Sequence, residues 1–244
     1  MTQLHRAKAR HFHALHHNGS ALVLASAWDV AGARQVEQSG GTAVATTGTA
    51  WQLGGDSDRS ARTRALELIA GVVAAVDVPV TADVENGYAS DPTGVADTVR
   101  CVLAAGAVGI DISDAGYAMA APLRPTAEQA ERIAAARAAA DDVDVPLFVN
   151  ARIDVFLRTR WPLAELLTAT LERAAAYLAA GADGIFVPGV VDPATITELV
   201  AGVSAPLSVL AGPDALGFGQ LAGLGVARIS VLRSGKATGP VQHC

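Results

Sequence analysis

Residues 92–112 read PTGVADTVRCVLAAGAVGIDI, and the pattern on which the fold prediction depends is complete within them. The first part is rich in alanine, leucine and valine, which predicts a helix beginning at Pro92. This helix should end at Gly106, because glycine readily adopts the left-handed backbone conformation that terminates helices. A short apolar run, residues 108–112, follows directly and predicts a buried strand.

The same helix–glycine–strand unit recurs along the chain, for example around Gly181. We predict strands at residues 21–25, 42–46, 78–83, 108–112, 145–150, 184–187, 207–210 and 227–231. We predict helices at residues 4–16, 28–38, 60–76, 92–105, 126–140, 163–180, 193–201 and 214–222. Eight short apolar strands separated by helices predict a (β/α)8 TIM barrel, a fold of the α/β class. The alternative, an open doubly wound sheet, is disfavoured because no Gly-x-Gly-x-x-Gly follows the first strand.

The 244 residues suit one barrel domain without an internal boundary. We predict an N-terminal helix within residues 1–20, the barrel at 21–231 and a short tail at 232–244. The tail leaves no room for an eighth C-terminal helix. The last strand would then be covered by the N-terminal helix, by another subunit or by nothing.

Composition excludes several classes of function. A net charge of −6 with dispersed arginines is a poor match for nucleic acid or anionic lipid. No apolar run approaches the roughly 18 residues of a membrane span, and the histidine- and arginine-rich start is not a secretory signal. The two cysteines cannot build a disulfide framework. We therefore expect a cytoplasmic protein that binds neither nucleic acid nor membrane.

Rare residue types narrow the chemistry further. Lys8 and Lys236 are the only lysines, and five of the six histidines lie within residues 5–17. A central Schiff base, a Ser-His-Asp triad and a histidine-bound zinc ion are therefore disfavoured. We interpret the histidine-rich first helix as a solvated surface helix and Cys101 as a buried, inert thiol.

Two carboxylates at the end of the third strand predict a metal site. Asp83 and Glu85 are two residues apart on an extended segment, so both side chains should project from one face. With Asp56 nearby, they suit a hard cation with oxygen ligands, Mg²⁺ or Mn²⁺ in its place. The alternative is that these are solvated loop acids or helix caps.

Two further segments at the same end of the predicted barrel suit an anionic substrate. Thr47, Gly48 and Thr49 form a turn with hydroxyls and backbone amides that can bind carboxylate or phosphate oxygens. Asn150 and Arg152 follow the fifth strand, and a guanidinium group can bind a carboxylate with two hydrogen bonds. The alternatives are a simple tight turn and a structural salt bridge from Arg152 to Asp154 or Glu85.

These motifs, in this order, resemble the isocitrate lyase / phosphoenolpyruvate mutase superfamily. The resemblance covers roughly residues 21–231, and its most specific parts are Asp-Val-Glu-Asn-Gly-Tyr at 83–88 and Asn-Ala-Arg-Ile-Asp at 150–154. It implies Mg²⁺-dependent chemistry on 2-oxo or 2-hydroxy carboxylates, through an enolate that the metal stabilises. The position of Asp83 is implied to contact the metal, with those of Asp56 and Glu85 helping through waters. The positions of residues 47–49 and of Arg152 are implied to hold the substrate.

The sequence also departs from the superfamily's usual pattern. A Glu-Asp pair usually follows the fourth strand, whereas this chain has Ser113-Asp114. The lyase Cys-Gly-His loop and the mutase lysine are missing, which leaves Tyr117, and with it Tyr88, as the proton donors we nominate. A C-terminal helix is commonly exchanged between subunits in this superfamily. The short tail argues against that exchange, and we expect a weaker homo-oligomer.

Three functions follow from these observations. The first is Mg²⁺-dependent cleavage of a carbon–carbon bond in a small carboxylate, by a lyase or decarboxylase. The second is mutase or hydrolase chemistry of the phosphoenolpyruvate/phosphonopyruvate type. The third is a non-catalytic barrel that retains ligand binding.

Overall fold

Eight parallel strands form a closed barrel in chain order in the computed structural model, which describes residues 2–48, 58–116, 122–212 and 216–232. The strands are β1 (Leu22–Ala27), β2 (Val44–Thr46), β3 (Val80–Asp83), β4 (Gly109–Ser113), β5 (Phe148–Arg152), β6 (Gly184–Val187), β7 (Leu207–Ala211) and β8 (Arg228–Leu232). The helices are α1 (Gln3–Leu15), α2 (Val30–Gln38), α3 (Asp58–Val73), α4 (Pro92–Ala105), α5 (Thr126–Asp141), α6 (Val155–Arg158), α7 (Leu163–Ala179), α8 (Pro193–Gly202) and α9 (Phe218–Gly223). Because β8 pairs with β1, the predicted (β/α)8 barrel is confirmed.

Local sequence signals set the ends of α4. The Asp91 side chain accepts a hydrogen bond from the Gly94 N–H (2.9 Å), and Pro92 occupies the first turn. Gly106 ends the helix with a φ of 96°, and Gly181, two residues after the end of α7, has a φ of 102°. Both glycines therefore adopt the left-handed conformation expected of them.

Proline shifts the start of two strands relative to the prediction. β3 begins after Pro79 and β5 after Pro146, because proline has no N–H group to donate to the neighbouring strand. The one-turn helix α6 was not predicted, since four residues carry too little periodicity to be recognised.

Helix α1 closes the amino-terminal end of the barrel with one face. The interpretation as a solvated surface helix holds for the outer face, where His11 and His17 are exposed, and is wrong for the inner face. Phe12 is fully buried against the ring of Phe148, the first residue of β5 (5.7 Å between ring centroids). His16 stacks on the same ring at 3.9 Å. His5 is also buried, and its Nε2–H group donates to the Ala107 carbonyl oxygen at 2.9 Å.

No helix in these described ranges is long and apolar enough to cross a membrane. Residues 233–244 lie outside the described ranges, and with them the predicted absence of an eighth helix. Cys101 is exposed on α4, so the expectation of a buried thiol was also wrong. Its sulfur lies on the outside of the helix layer, 3.5 Å from an Arg62 nitrogen.

Candidate active site

A cavity of about 340 Å³ opens at the carboxyl ends of the strands, with residues from all eight strands or the segments after them on its wall. Parallel strands bring these ends together at one face of the barrel, where the loops after the strands meet. The predicted site residues on its wall are Thr47, Gly48, Asp83, Glu85 and Arg152. Thr49, Asp56 and Tyr117 lie outside the described residues.

Asp83 and Glu85, the predicted metal-binding pair, are adjacent on this wall. One carboxylate oxygen of Asp83 accepts the Glu85 backbone N–H at 2.8 Å. Glu85 has a φ of 50°, in the left-handed region that residues other than glycine rarely adopt. Strained backbone of this kind is concentrated at functional sites, which supports a role for this segment beyond folding.

The predicted anion-binding turn contacts the same carboxylate. A Cβ atom at Gly48 would lie 2.5 Å from Glu85 Oε1, so any other residue there would require the Glu85 side chain to move. Thr47 is already engaged, because its N–H and hydroxyl groups face the Ala27 carbonyl oxygen at 3.2 and 3.4 Å. Among the described residues of the turn, the capacity to bind an anion therefore rests on the Gly48 backbone.

Burial dominates the electrostatics of Asp83. It raises the pKa of this carboxyl group to about 6, against the opposing effect of the Arg152 guanidinium. Asp111 and Asp154 add to the increase because like charges disfavour a further negative charge. A cation bound beside Asp83 would relieve this excess of negative charge.

The donor set fits Mg²⁺ in the way that ion is usually held. Asp83 and Glu85 offer hard oxygen ligands, and Mg²⁺ commonly binds one or two carboxylates and keeps several waters. No group of three His, Cys, Asp or Glu side chains within the described ranges is arranged around a metal position. The third predicted acid, Asp56, lies outside those ranges.

Arg152 forms a two-pronged salt bridge with Asp154, one of the two alternatives that the sequence left open. Its Nε and Nη2 atoms lie 2.6 and 3.0 Å from the two oxygens of this fully buried carboxylate. Although burial opposes the positive charge, Asp154 and Asp83 raise the pKa of Arg152, so it stays protonated. The guanidinium group still lines the cavity, and the salt bridge holds it there in a fixed orientation.

The two residues at the Glu-Asp position support this salt bridge. The Ser113 hydroxyl donates to Asp154 at 3.1 Å and accepts the Ala115 N–H at 3.0 Å. Asp114 is fully buried and accepts hydrogen bonds from Arg173 and from the Asp154 N–H. These groups are engaged within the protein, and Asp114 is not on the cavity wall.

Two other candidates lie away from the wall. Asn150, expected to bind substrate, is fully buried beneath the cavity and donates from its amide nitrogen to Asp111 at 2.7 Å. Tyr88 is buried in the hydrophobic core. Neither is among the described residues that line the cavity.

The sequence interpretation missed a buried ion pair at the cavity floor. Arg228 of β8 places Nη1 and Nη2 at 3.1 and 2.6 Å from the two oxygens of Asp111 on β4. The signal was present, because Asp111 and Arg228 are charged residues inside otherwise apolar strands, and a buried charge needs a partner.

The chain is similar to several known proteins. The family model described as phosphoenolpyruvate phosphomutase matches residues 12–235. A crystal structure of a candidate phosphonomutase from Burkholderia cenocepacia J2315 is 40% identical with a TM-score of 0.87, and the match covers 93% of this chain and 92% of that one. Protein Rv1998c of Mycobacterium tuberculosis (strain ATCC 25618 / H37Rv) is 37% identical over 222 residues, 90% of this chain and 80% of its own. The 2-methylisocitrate lyase of Escherichia coli (strain K12) is 32% identical over 133 residues, 53% of this chain and 43% of the lyase.

The protein is a TIM barrel built like an enzyme. Carboxylates and an arginine line a cavity at the carboxyl ends of its strands, where the active sites of such barrels lie. The chain belongs to the phosphoenolpyruvate phosphomutase family, within the isocitrate lyase / phosphoenolpyruvate mutase superfamily. This superfamily contains both lyases and mutases.

Proposed function

We propose that this protein is a Mg²⁺-dependent enzyme that cleaves a carbon–carbon bond in a small 2-oxo or 2-hydroxy carboxylate through an enolate. One observation carries the proposal: Asp83 and Glu85 are adjacent on the wall of a cavity that Arg152 also lines. This combination offers oxygen ligands for a cation and a positive group for an anion in one enclosed space.

The residues of the chain divide this work between them. Asp83 and Glu85 would hold Mg²⁺, or Mn²⁺ in its place, and the ion would supply the positive charge that stabilises negative charge developing on the 2-oxygen. The Gly48 backbone and the Arg152 guanidinium would bind and orient the carboxylate. Asp154 keeps Arg152 in place, so the substrate meets a pre-oriented partner.

The side chains on the wall favour reactions that are accelerated mainly by electrostatic stabilisation of the negative charge formed during cleavage. The described part of the cavity wall contains no histidine, lysine or cysteine. Two cleavages fit such a wall: decarboxylation of an acid like oxaloacetate, and retro-aldol cleavage in which a tyrosine or water takes the proton of the hydroxyl group. Tyr117 remains the proton donor that the sequence nominates.

Phosphonate chemistry is the second candidate, and the 40% identity to a candidate phosphonomutase favours it. Such a reaction would use the same carboxylates and the same arginine. It differs in its substrate, which carries a phosphonate group in place of the carbon substituent.

Product analysis separates the candidates. The purified protein would be incubated with Mg²⁺ and a panel of 2-oxo and 2-hydroxy acids, and release of pyruvate or loss of the acid would be followed by chromatography. Mg²⁺-dependent bond cleavage in one of these acids supports the proposal, and turnover of phosphonopyruvate alone supports the second candidate. Tight Mg²⁺-dependent binding of oxalate without turnover of any acid would contradict both and favour the ligand-binding barrel.

A further inference from the structure

The cavity wall has two chemically different sides. The side built by β2 to β5 carries the acids, hydroxyls and Arg152 described above. The neighbouring side, built by β6 and β7, presents Phe186, Pro188 and Leu210, and Phe186 lies beside Arg152 as its register partner on the next strand. A ligand held between Arg152 and the Asp83–Glu85 pair would therefore have apolar carbon along its β6–β7 side.

The charges on the wall also bear on the ligand. Four carboxylates, those of Asp83, Glu85, Asp111 and Asp154, line the described cavity. Three guanidinium groups, those of Arg152, Arg158 and Arg228, line it as well, so one negative charge is in excess. A bound divalent cation would turn this into an excess of one positive charge. A ligand with one carboxylate balances it, whereas a second carboxylate that does not contact the cation would return the described wall to a net negative charge.

Arg228 is poorly suited to bind a second anion. Its Nη1 and Nη2 atoms are both committed to Asp111, and its Nε–H donates to the Ser230 hydroxyl at 3.1 Å. The side chain is 1% exposed and its guanidinium carbon lies 5.9 Å from the centre of the Phe186 ring. It therefore forms a neutralised floor beside the apolar side of the cavity.

We infer that the substrate is a 4-hydroxy-2-oxo monocarboxylate with a short apolar substituent on C4, bound against Phe186, Pro188 and Leu210. This inference rests on the proposed function and specifies its substrate class. It favours retro-aldol cleavage, because the decarboxylation considered above requires a substrate with a second carboxylate. The C3–C4 bond would break, its electron pair would form the enolate of pyruvate, the 4-hydroxyl group would lose its proton to water and become the carbonyl group of the apolar product, and water would return a proton to the enolate.

Calorimetric titration with three probes in the presence of Mg²⁺ tests the inference on the unmodified protein. The probes are oxalate, N-isobutyl oxamate and N-oxalylglycine. The last two have the same shape, but one ends in two methyl groups and the other in a second carboxylate. We expect N-isobutyl oxamate to bind at least about tenfold more tightly than N-oxalylglycine, since it buries several apolar carbons. Equal or tighter binding of N-oxalylglycine overturns the inference.

Two variants test whether the apolar substituent binds on the β6–β7 side of the cavity. Leu210→Asn should weaken N-isobutyl oxamate about fivefold or more and leave oxalate binding unchanged. Ala211→Ser, at the neighbouring position on β7 that does not line the cavity, is the control and should change neither. An equal effect of Leu210→Asn on both probes would contradict binding of the apolar substituent against Leu210. Failure of oxalate itself to bind with Mg²⁺ would overturn the proposed function, and this inference with it, and is distinguishable from the outcomes above.

Discussion

Gly48 and Glu85 show how closely single residues of the site depend on one another. The Glu85 carboxylate occupies the space that a Cβ atom at position 48 would need, and the Glu85 backbone has a left-handed φ. Position 48 therefore needs a glycine to keep the Glu85 carboxylate in its place, and not because of the backbone conformation of residue 48 itself. The sequence motif predicted that both residues belong to the site, but it could not predict this contact, because residues 48 and 85 follow different strands.

Gly48→Ala tests this contact. The added methyl group should displace the Glu85 carboxylate and weaken Mg²⁺-dependent oxalate binding about tenfold, because one of two carboxylate ligands moves. Calorimetry measures the affinity, and circular dichroism checks the fold. Gly219→Ala is the matched control, because a Cβ atom there meets nothing within 4 Å. Unchanged affinity in Gly48→Ala would contradict the placement of Glu85 at the metal.

For helix α1, the sequence predicts the bounds of the helix but not which of its faces is buried. Its bounds were predicted to within one residue, because the Thr2 cap and the helix-forming composition are local signals. The burial of its inner face was not predicted, since histidine occurs both in solvent and in buried positions with a hydrogen-bond partner. Phe12 and His16 pack on Phe148 only because the closed barrel leaves an open lower end for a helix to cover.

The burial of His16 predicts a pH dependence of stability. Burial and the nearby Arg228 charge lower the pKa of His16 to about 3, with a small further contribution from His13. The hydrogen bond to the Phe12 carbonyl oxygen and the Asp111 charge oppose this shift. The unfolded chain binds a proton near pH 6.5 and the folded chain does not, so stability is lost as the pH falls from about 6.5 towards 3.

His16→Phe removes this contribution and keeps a ring against Phe148. Between pH 6.5 and pH 5, the unmodified protein should lose about 2 kcal/mol of unfolding free energy more than the variant does. Urea unfolding at several pH values measures the difference. His17→Phe, at an exposed neighbouring position, should behave as the unmodified protein does. Parallel pH profiles for the unmodified protein and His16→Phe would show that His16 is not buried in its neutral form.

The barrel as a whole determines the ion pair between Asp111 and Arg228. The two residues are 117 positions apart in the sequence. They meet because their side chains, on β4 and β8, both point into the barrel interior. The order and number of the strands could be predicted from periodicity and turn signals, and so could the end of the barrel that carries the site. The pairing of Arg228 with Asp111 could not, because it depends on the relative rotation and depth of strands across the barrel.

A double-mutant cycle on this pair tests its role in the whole molecule. Arg228→Met or Asp111→Leu alone should each destabilise the protein by about 3–5 kcal/mol, because each leaves one buried charge without its partner. The double variant should be less destabilised than the sum of the two, since no isolated charge remains. Urea unfolding measures all four proteins. Strict additivity would contradict a direct interaction in the barrel interior.

Calorimetric titration of oxalate into the purified protein, with Mg²⁺ and again with excess chelator, tests whether Asp83 and Glu85 hold a metal ion that binds the substrate. Oxalate resembles the enolate of pyruvate in shape and charge. We expect oxalate to bind only when Mg²⁺ is present, and we expect Asp83→Ala to lose this binding while the fold persists. Glu131→Ala, an exposed acid on α5, should bind as the unmodified protein does. Binding that persists in the chelator, or in Asp83→Ala, would contradict a metal site centred on Asp83.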